Sequence, residues 1–452
     1  MKVYRIKTAT VLSRCTYFSR MIRGAIGAPL SDGLTTALLL VIFMGGCKEK
    51  VAEPEVQFSV RAPKAVPVQR RVRETFPLRN YVFFEAGSAK IPNRYVALTK
   101  DQAAGFKEEQ LQEVQPKSMA LRSHRQMIVY YNILNIMGDR MKRNSRTIIE
   151  LSGASEKGPE HGKERAETIK KYLVDIFGIE GSRIRTEGRD KPRIPSVVHG
   201  ATKELALLRA GDRRVDIESN SPELMLQVGG GPHYILKPVQ IVAVVEDPLD
   251  SHVLFNVAGA NEVLTSWSLE ITDEQGKVLR YGPSTRDHES ISGNTILGDY
   301  SQGNYKVVML GQTKSGTLVS KESSVYLVRR EEPIKESVRF SILFDFDQSK
   351  TIASYETFLT NIVTPLIPDS GIVVIHGHTD IIGDEVYNDS LSSQRVHDAR
   401  TIIERAVSNS GKRGVTFETF ACGENLQFAP FDNFFPEERF YNRTVIIDIV
   451  PN

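Results

Sequence analysis

The chain has 452 residues, of which 40% are hydrophobic and 25% charged, with a formal net charge of +3. Such a composition belongs to a folded, water-facing protein of roughly three domains and argues against a disordered or multi-span membrane chain. The near-balanced charge, without a dense basic stripe, argues against a nucleic-acid binder that works by counterion release.

The N-terminus departs from this balance. Lys2, Arg5, Lys7, Arg14, Arg20 and Arg23 precede the first acid, Asp32, and Leu34 to Met44 then reads LTTALLLVIFM before Gly45, Gly46 and Cys47. A basic region, a short apolar run and small residues make a secretory signal, and the run falls short of the ~20 residues that span a bilayer. Met21 is an alternative start that would shorten the basic region. Cys47 behind Gly45-Gly46 resembles a bacterial lipobox, with Met44 where leucine is usual. That resemblance implies a signal over 1–46, lipidation of Cys47 and, with Lys48 rather than aspartate next, the periplasmic face of the outer membrane. Cys15 leaves with the signal, so Cys422 has no intrachain partner and is expected to be a small buried side chain on a strand.

Residues 47–75 contain Pro54, Pro63 and Pro67 without a helical period and read as a semi-extended tether. From Tyr81, strand and helix alternate over 76–219. Strands are expected at Tyr81–Phe84, Thr147–Leu151, Arg183–Glu187 and Arg214–Glu218, and helices at Gln126–Met141 and Glu164–Phe177. Over 220–331 the helical period disappears. Short alternating runs at Gln240–Val245, Trp267–Thr272, Lys277–Arg280, Tyr305–Leu310 and Ser324–Val328 give the pattern of a β-sandwich. The segment SWSLEITDEQGKVLR with Gly303-Asn304-Tyr305-Lys306 resembles immunoglobulin-like modules, and Trp267 is expected in that core. Over 332–452 the pattern returns: strands at Phe340–Phe346, Ile372–Gly377, Val415–Phe420 and Thr444–Val450, helices at Ile352–Leu366 and Asp384–Val407. Asp384 is placed to cap the second helix.

The first and last of these segments read as copies. Arg165-Ala166-x-x-Ile169-x-x-x-Leu173 parallels Arg395-Val396-x-x-Ala399-x-x-x-Ile403, and Gly153 stands where Gly377 stands. Gly188 parallels Gly423, and Arg213 parallels Arg443. From Asp380 to Arg395 is fifteen residues, but from Glu156 to Arg165 only nine, so the first copy lacks the turn that carries Asn388, Leu391 and Ser392. Without it, Glu156 and Arg165 are not expected to reproduce the geometry of Asp380 and Arg395.

The stretch Gly377–Arg395, GHTDIIGDEVYNDSLSSQR, carries the functional signal. Asn388 and Arg395 are seven apart and share a helix face, with Asp380 on the turn before it. T-D, a glycine, N-x-x-L-S and an arginine at these spacings resemble the peptidoglycan-binding signature of the OmpA-like family. Phe344-Asp345-Phe346-Asp347 and Asn442-Arg443 resemble its first-strand and closing motifs. The match covers about a hundred residues of the last segment well and the first only weakly. It implies a fold of two OmpA-like α/β (α+β) sandwiches, β-α-β-α-β-β, flanking the immunoglobulin-like sandwich. It also implies non-covalent binding of the diaminopimelate of a peptidoglycan stem peptide. The position of Asp380 then corresponds to the carboxylate that meets the ligand's ammonium, and Arg395 to the guanidinium that meets its carboxylate. Thr379 and Asn388 would add neutral hydrogen bonds, Asp347 and the Phe346 backbone a second wall, Leu391 and Ser392 the helix side, and Arg443 a weaker contact. Val396, Thr444 and Cys422 depart from the family's usual residues without removing a ligand-facing group.

Rival readings are distinguishable. Asp380 and Arg395 as a mere ion pair would contribute little stability. His376, His378, Asp380 and Cys422 hint at a metal or Cys-His-Asp site. His376 and His378 share a strand face, no third ligand stands at the required spacing, and no hydrolase, Walker or zincin motif occurs. Neither catalysis, metal nor cofactor is expected. The expected partners are peptidoglycan, the outer membrane through the lipid, and envelope proteins on 76–331. The alternative role is a scaffold of an envelope secretion or motility complex that uses wall binding only as an anchor.

Overall fold

A computed structural model describes residues 56–112, 126–197, 204–225, 236–330, 336–344 and 353–451. The signal, Cys47, the first part of the expected tether, Phe346 and Asp347 lie outside the described residues.

The last module is built on the strands Ser337–Leu343, Ile372–Gly377, Thr416–Ala421 and Thr444–Val450. The first and last of these run antiparallel, the last pairs antiparallel with the second, and the second pairs parallel with the third. Alternation along the strands divides their side chains. Val373, Ile375, Val445, Ile447 and Ile449 enter the main core, while Val374 and Val450 join Phe420 and Cys422 on the other face. Cys422 is thus buried as expected, one residue past the strand's end.

Helix Glu385–Asn409 begins where its cap predicts: the Asp384 side chain accepts from the Val386 N–H at 3.0 Å. The other expected helix, Ile352–Leu366, is interrupted. After Ala353–Phe358 it widens into a π-helical turn, Leu359–Val363, and closes as a 3₁₀ turn, Thr364–Leu366. Pro365 has no N–H for an α-helical bond, and the Thr364 hydroxyl donates to Leu359 O at 2.8 Å.

The first module repeats this plan. Tyr81–Phe83, Arg214–Glu218, Ile149–Ala154 and Ile184–Arg189 lie side by side in that order, with the same antiparallel, antiparallel and parallel pairings. Helix Pro159–Phe177 crosses the sheet as Glu385–Asn409 does in the last module. The paired glycines explain the close crossing. A Cβ on Gly153 would meet Gly162 O at 1.9 Å, and one on Gly377 would meet Ser392 O at 2.7 Å. Two helices, Leu205–Asp212 and Pro436–Asn442, are short and escape the sequence reading.

Two expectations fail. Residues 56–75 are not tether but sheet. Gln57–Arg61 pairs with His252–Ala258, Val66–Pro67 with Leu318–Arg330, and Gln69–Leu78 runs parallel to Ser337–Leu343. The run Gln240–Val245, expected in the sandwich, belongs to strand Leu236–Glu246. It pairs with Gln69–Leu78 and makes the last module's sheet six-stranded. Local alternation marks a strand but carries no address for its partner, so neither placement is legible in the sequence.

The middle module has one sheet of Gln57–Arg61, His252–Ala258 and His288–Ser292. The other holds Val278–Ser284, Leu264–Thr272, Gln302–Thr313, Leu318–Arg330 and Val66–Pro67. Phe255 and Val257 from the first meet Leu269, Ile271, Val307 and Met309 from the second in one core. Trp267 lies in it, 1% exposed, with its ring N–H donating to Arg286 O at 2.6 Å. The first and last modules share a separate core that runs from Phe76 and Leu78 through Leu151, Ile169 and Ile217 to Phe340, Ile375 and Ile447.

Candidate functional site

The turn after strand Ile372–Gly377 and the first two turns of helix Glu385–Asn409 build the site. The turn is tied down at both ends: His378 N donates to Thr444 O at 2.9 Å, and Thr379 N to Gly423 O at 2.8 Å. Asp380 Oδ1 accepts from Ile382 N at 3.2 Å, and Gly383 (φ +120°) then turns the chain into the Asp384 cap. Thr379, Asp380, Asn388, Leu391, Arg395 and Arg443 converge on one cavity of about 340 Å³, with Ile382, Gly383 and Tyr387 completing its wall. Ser392 is buried beside it but turned away, its hydroxyl donating to Asp389 O at 2.9 Å and accepting from Gly423 N at 3.0 Å.

The charges are arranged differently from a simple Asp380–Arg395 opposition. Arg443 Nη1 lies 2.8 Å from Asp380 Oδ2, both side chains being buried. Arg395, 0% exposed, donates from Nη1 to His378 O at 3.0 Å, and its guanidinium lies 4.7 Å from the Phe344 ring centre. Arg439 packs behind. Burial chiefly, and then Arg443, lower its proton affinity, while Asp380 acts in the opposite direction. Among the described residues that line the cavity, the two arginines Arg395 and Arg443 stand with one acid, Asp380, a balance that suits an incoming carboxylate. Asp380 accepts two hydrogen bonds, which leaves its carboxylate acceptor capacity for an ammonium.

Asn388 is oriented by a residue that the sequence reading missed. Its Nδ2 lies 2.6 Å from Glu424 Oε2 and 3.3 Å from Ile382 O, so its Oδ1 is the group left to face a donor. Burial raises the Glu424 carboxyl against the effect of the Asn388 bond, with Glu385, Glu204 and Asp389 adding to the rise. Nothing local marks Glu424, because it reaches Asn388 only through the closing of the sheet.

The histidines do share a face: His376 Nδ1 and His378 Nε2 are 2.7 Å apart. The fold adds an acid that spacing did not reveal, Asp448, whose Oδ2 lies 3.7 Å from His376 Nε2. That carboxylate is already gripped by Arg339 through two bonds of 2.5 Å. Among the described residues no group of three or more metal-ligating side chains has the geometry to hold an ion. Burial pushes the Cys422 thiol up to about 12, which keeps it protonated at neutral pH. Among the described residues no helix is long and apolar enough to cross a membrane.

The first module corrects one expectation. Arg165 does occupy the place of Arg395: its Nη1 donates to Ala154 O at 2.6 Å and its guanidinium lies 5.4 Å from the Phe84 ring centre. Glu156 and Arg213, 4.0 Å apart, echo Asp380 and Arg443. Arg165 Nε also donates to Ser88 O at 2.9 Å and Nη2 to Glu85 O at 3.4 Å, so the 85–88 loop covers this arginine. Burial brings Arg165 down to about 10.

No protein-family profile matches the chain. Over 113 residues, 25% of the chain, the sequence is 29% identical to outer membrane porin F of Pseudomonas aeruginosa; the aligned part is 31% of that protein, so the chain spans about a third of that relative's length. Among solved structures it is similar to the peptidoglycan-associated lipoprotein of Burkholderia pseudomallei, at 18% identity and TM-score 0.20, covering 24% of this chain and 88% of that one. It is also similar to the cell wall anchor of the T6SS from Pseudomonas aeruginosa, at 21% identity and TM-score 0.20, covering 25% and 80%. The periplasmic domain of Helicobacter pylori MotB matches at 13% identity and TM-score 0.20, covering 25% and 82%. Over a quarter of its length, the chain is weakly similar in sequence to an outer-membrane porin of the OmpA family.

Proposed function

We propose that this protein binds peptidoglycan non-covalently through the cavity of its last module. The ligand group is the zwitterionic end of a stem-peptide diaminopimelate. In this reading Arg395, with Arg443 beside it, takes the ligand carboxylate, and Asp380 with Asn388 Oδ1 takes the ammonium. Thr379 supplies a hydroxyl, Leu391 an apolar wall, and Phe346 with Asp347 the opposite side. Lipidation at Cys47 would anchor the chain in the outer membrane, so that the protein ties membrane to wall, with an immunoglobulin-like sandwich between two OmpA-like modules.

One observation carries the reading: six residues singled out by the motif resemblance line a single cavity that holds both charge signs. The similarity to porin F is in keeping with it. Co-sedimentation of the full chain with purified sacculi tests it. The wild type is expected to pellet, and Asp380→Ala and Arg395→Ala to lose about 2–5 kcal/mol of binding each. Equal pelleting of all three would remove the cavity from the mechanism.

A further inference from the structure

Helix Pro436–Asn442 directly precedes Arg443 and belongs by sequence to the last module, yet three of its side chains, Glu437, Phe440 and Tyr441, reach into the first. Glu437 accepts from Arg94 Nε at 2.5 Å and from the Tyr95 hydroxyl at 3.0 Å. Tyr441 donates to Pro77 O at 2.9 Å and meets the Tyr130 ring edge-on at 5.2 Å. Between them, the Phe440 ring packs edge-on against Tyr81 at 5.3 Å and tilted against Phe83 at 5.2 Å. That same ring carries the Arg443 guanidinium, 3.7 Å from its centre, and Arg443 is the residue that grips Asp380. The electron-rich face of a buried aromatic ring attracts a guanidinium and fixes its plane. A ring clamped by the first module therefore dictates where a cationic group of the last module's cavity points.

A second contact reaches the other side of the cavity. Glu204 Oε2 accepts from Gly383 N at 2.9 Å, the amide at the turn between Asp380 and the Asp384 cap. Glu204 stands at φ +51°, a left-handed conformation that a residue with a side chain rarely adopts.

We infer that the first module is a positioning partner for the last module's cavity, setting Arg443 through Phe440 and the Gly383 turn through Glu204. The inference rests on the peptidoglycan reading and goes beyond it. The first module acts on the ligand without touching it, and its own arginine place is closed by the 85–88 loop.

The test is sacculus affinity of the full chain, with thermal unfolding measured on each variant. The wild-type arm reads the peptidoglycan assignment alone: failure to bind overturns that assignment and this inference together. With wild-type binding present, Phe440→Leu, which keeps apolar bulk and removes the ring face, is expected to weaken affinity about tenfold. Phe440→Tyr, which keeps the ring and its face, is expected to restore it, while an unfolding midpoint of Phe440→Leu near wild type separates the affinity loss from lost packing. Wild-type affinity for a folded Phe440→Leu, or a Phe440→Tyr as weak as Phe440→Leu, overturns the inference. If Phe440→Leu does not fold, the exposed Glu204 decides. Glu204→Ala is expected to bind about threefold more weakly, through loss of one acceptor, and Glu204→Gln, which keeps an acceptor oxygen, to bind as wild type. Equal binding by Glu204→Ala then overturns it.

Discussion

Asp448 shows how one side chain's environment becomes a property of the whole protein. Burial alone would raise its carboxyl, but the Arg339 charge and its two hydrogen bonds outweigh burial and hold it well below the usual carboxylate range. A depressed acid contributes stability that is fully present above the unfolded value of about 3.9 and lost as pH falls toward the folded value. Wild type is therefore expected to exceed Asp448→Asn by about 3–5 kcal/mol at neutral pH, since the variant leaves Arg339 buried without its partner charge. The difference should shrink below about pH 4. Urea midpoints measured from pH 7 to 3 check this, and a gap that stays constant with pH would contradict it. The cavity residues between Thr379 and Arg395 were legible at this scale because their types and spacing are local in sequence. Asp380's pairing with Arg443 was not, because sixty-three positions of chain separate the two.

At the scale of elements, the site depends on how helix Glu385–Asn409 starts and how closely it sits. Loss of the cap in Asp384→Ala is expected to cost about 1 kcal/mol, read as a lower unfolding midpoint; an unchanged midpoint would show the cap to be incidental. Gly377 allows the helix to lie against the strand end. In Gly377→Ala the new Cβ would stand 2.6 Å from Val396 Cγ2 and 2.7 Å from Ser392 O. Overpacking of this kind costs roughly 1–3 kcal/mol, and it would also lift Arg395 off the His378 carbonyl. The variant should therefore lose both stability and sacculus affinity, and retention of full affinity would refute the claim that helix seating sets the site. Sequence reading located the long helices Pro159–Phe177 and Glu385–Asn409 and the four strands of each α/β module, but it missed alternating strands such as Gln69–Leu78, which lie among prolines and charges. It failed for helices Leu205–Asp212 and Pro436–Asn442, which are too short to establish a period.

At the scale of the molecule, the modules are not beads on a string. Strand Gln69–Leu78 links Ser337–Leu343 to Leu236–Glu246, and residues 57–67 add strands to both sheets of the sandwich. A chain beginning after residue 79 would expose the main-chain groups of Ser337–Leu343 along a sheet edge, together with the core that Phe76 and Leu78 cover. Such a truncation is expected to yield insoluble protein, and recovery of a soluble, sacculus-binding fragment would disprove the role of these strands. The sandwich is joined in turn to the site helix by Arg286, whose Nε donates to Glu385 Oε1 at 2.9 Å while its carbonyl holds Trp267.

The sequence by itself determined the repeated strand–helix pattern with its matched glycines, the Asp384 cap and six of the residues that line the cavity. Each of these is written in residue types, periods and spacings that can be read along the chain without knowing which segments pack together. Only the tertiary structure decided that residues 56–78 are sheet, that Asp380 is matched with Arg443, that Glu424 orients Asn388 and that the first module grips the helix beside Arg443. Each is a pairing across long sequence separation. A strand's alternation or an arginine's charge specifies what kind of partner it needs, but the packing of the whole chain selects which one it gets.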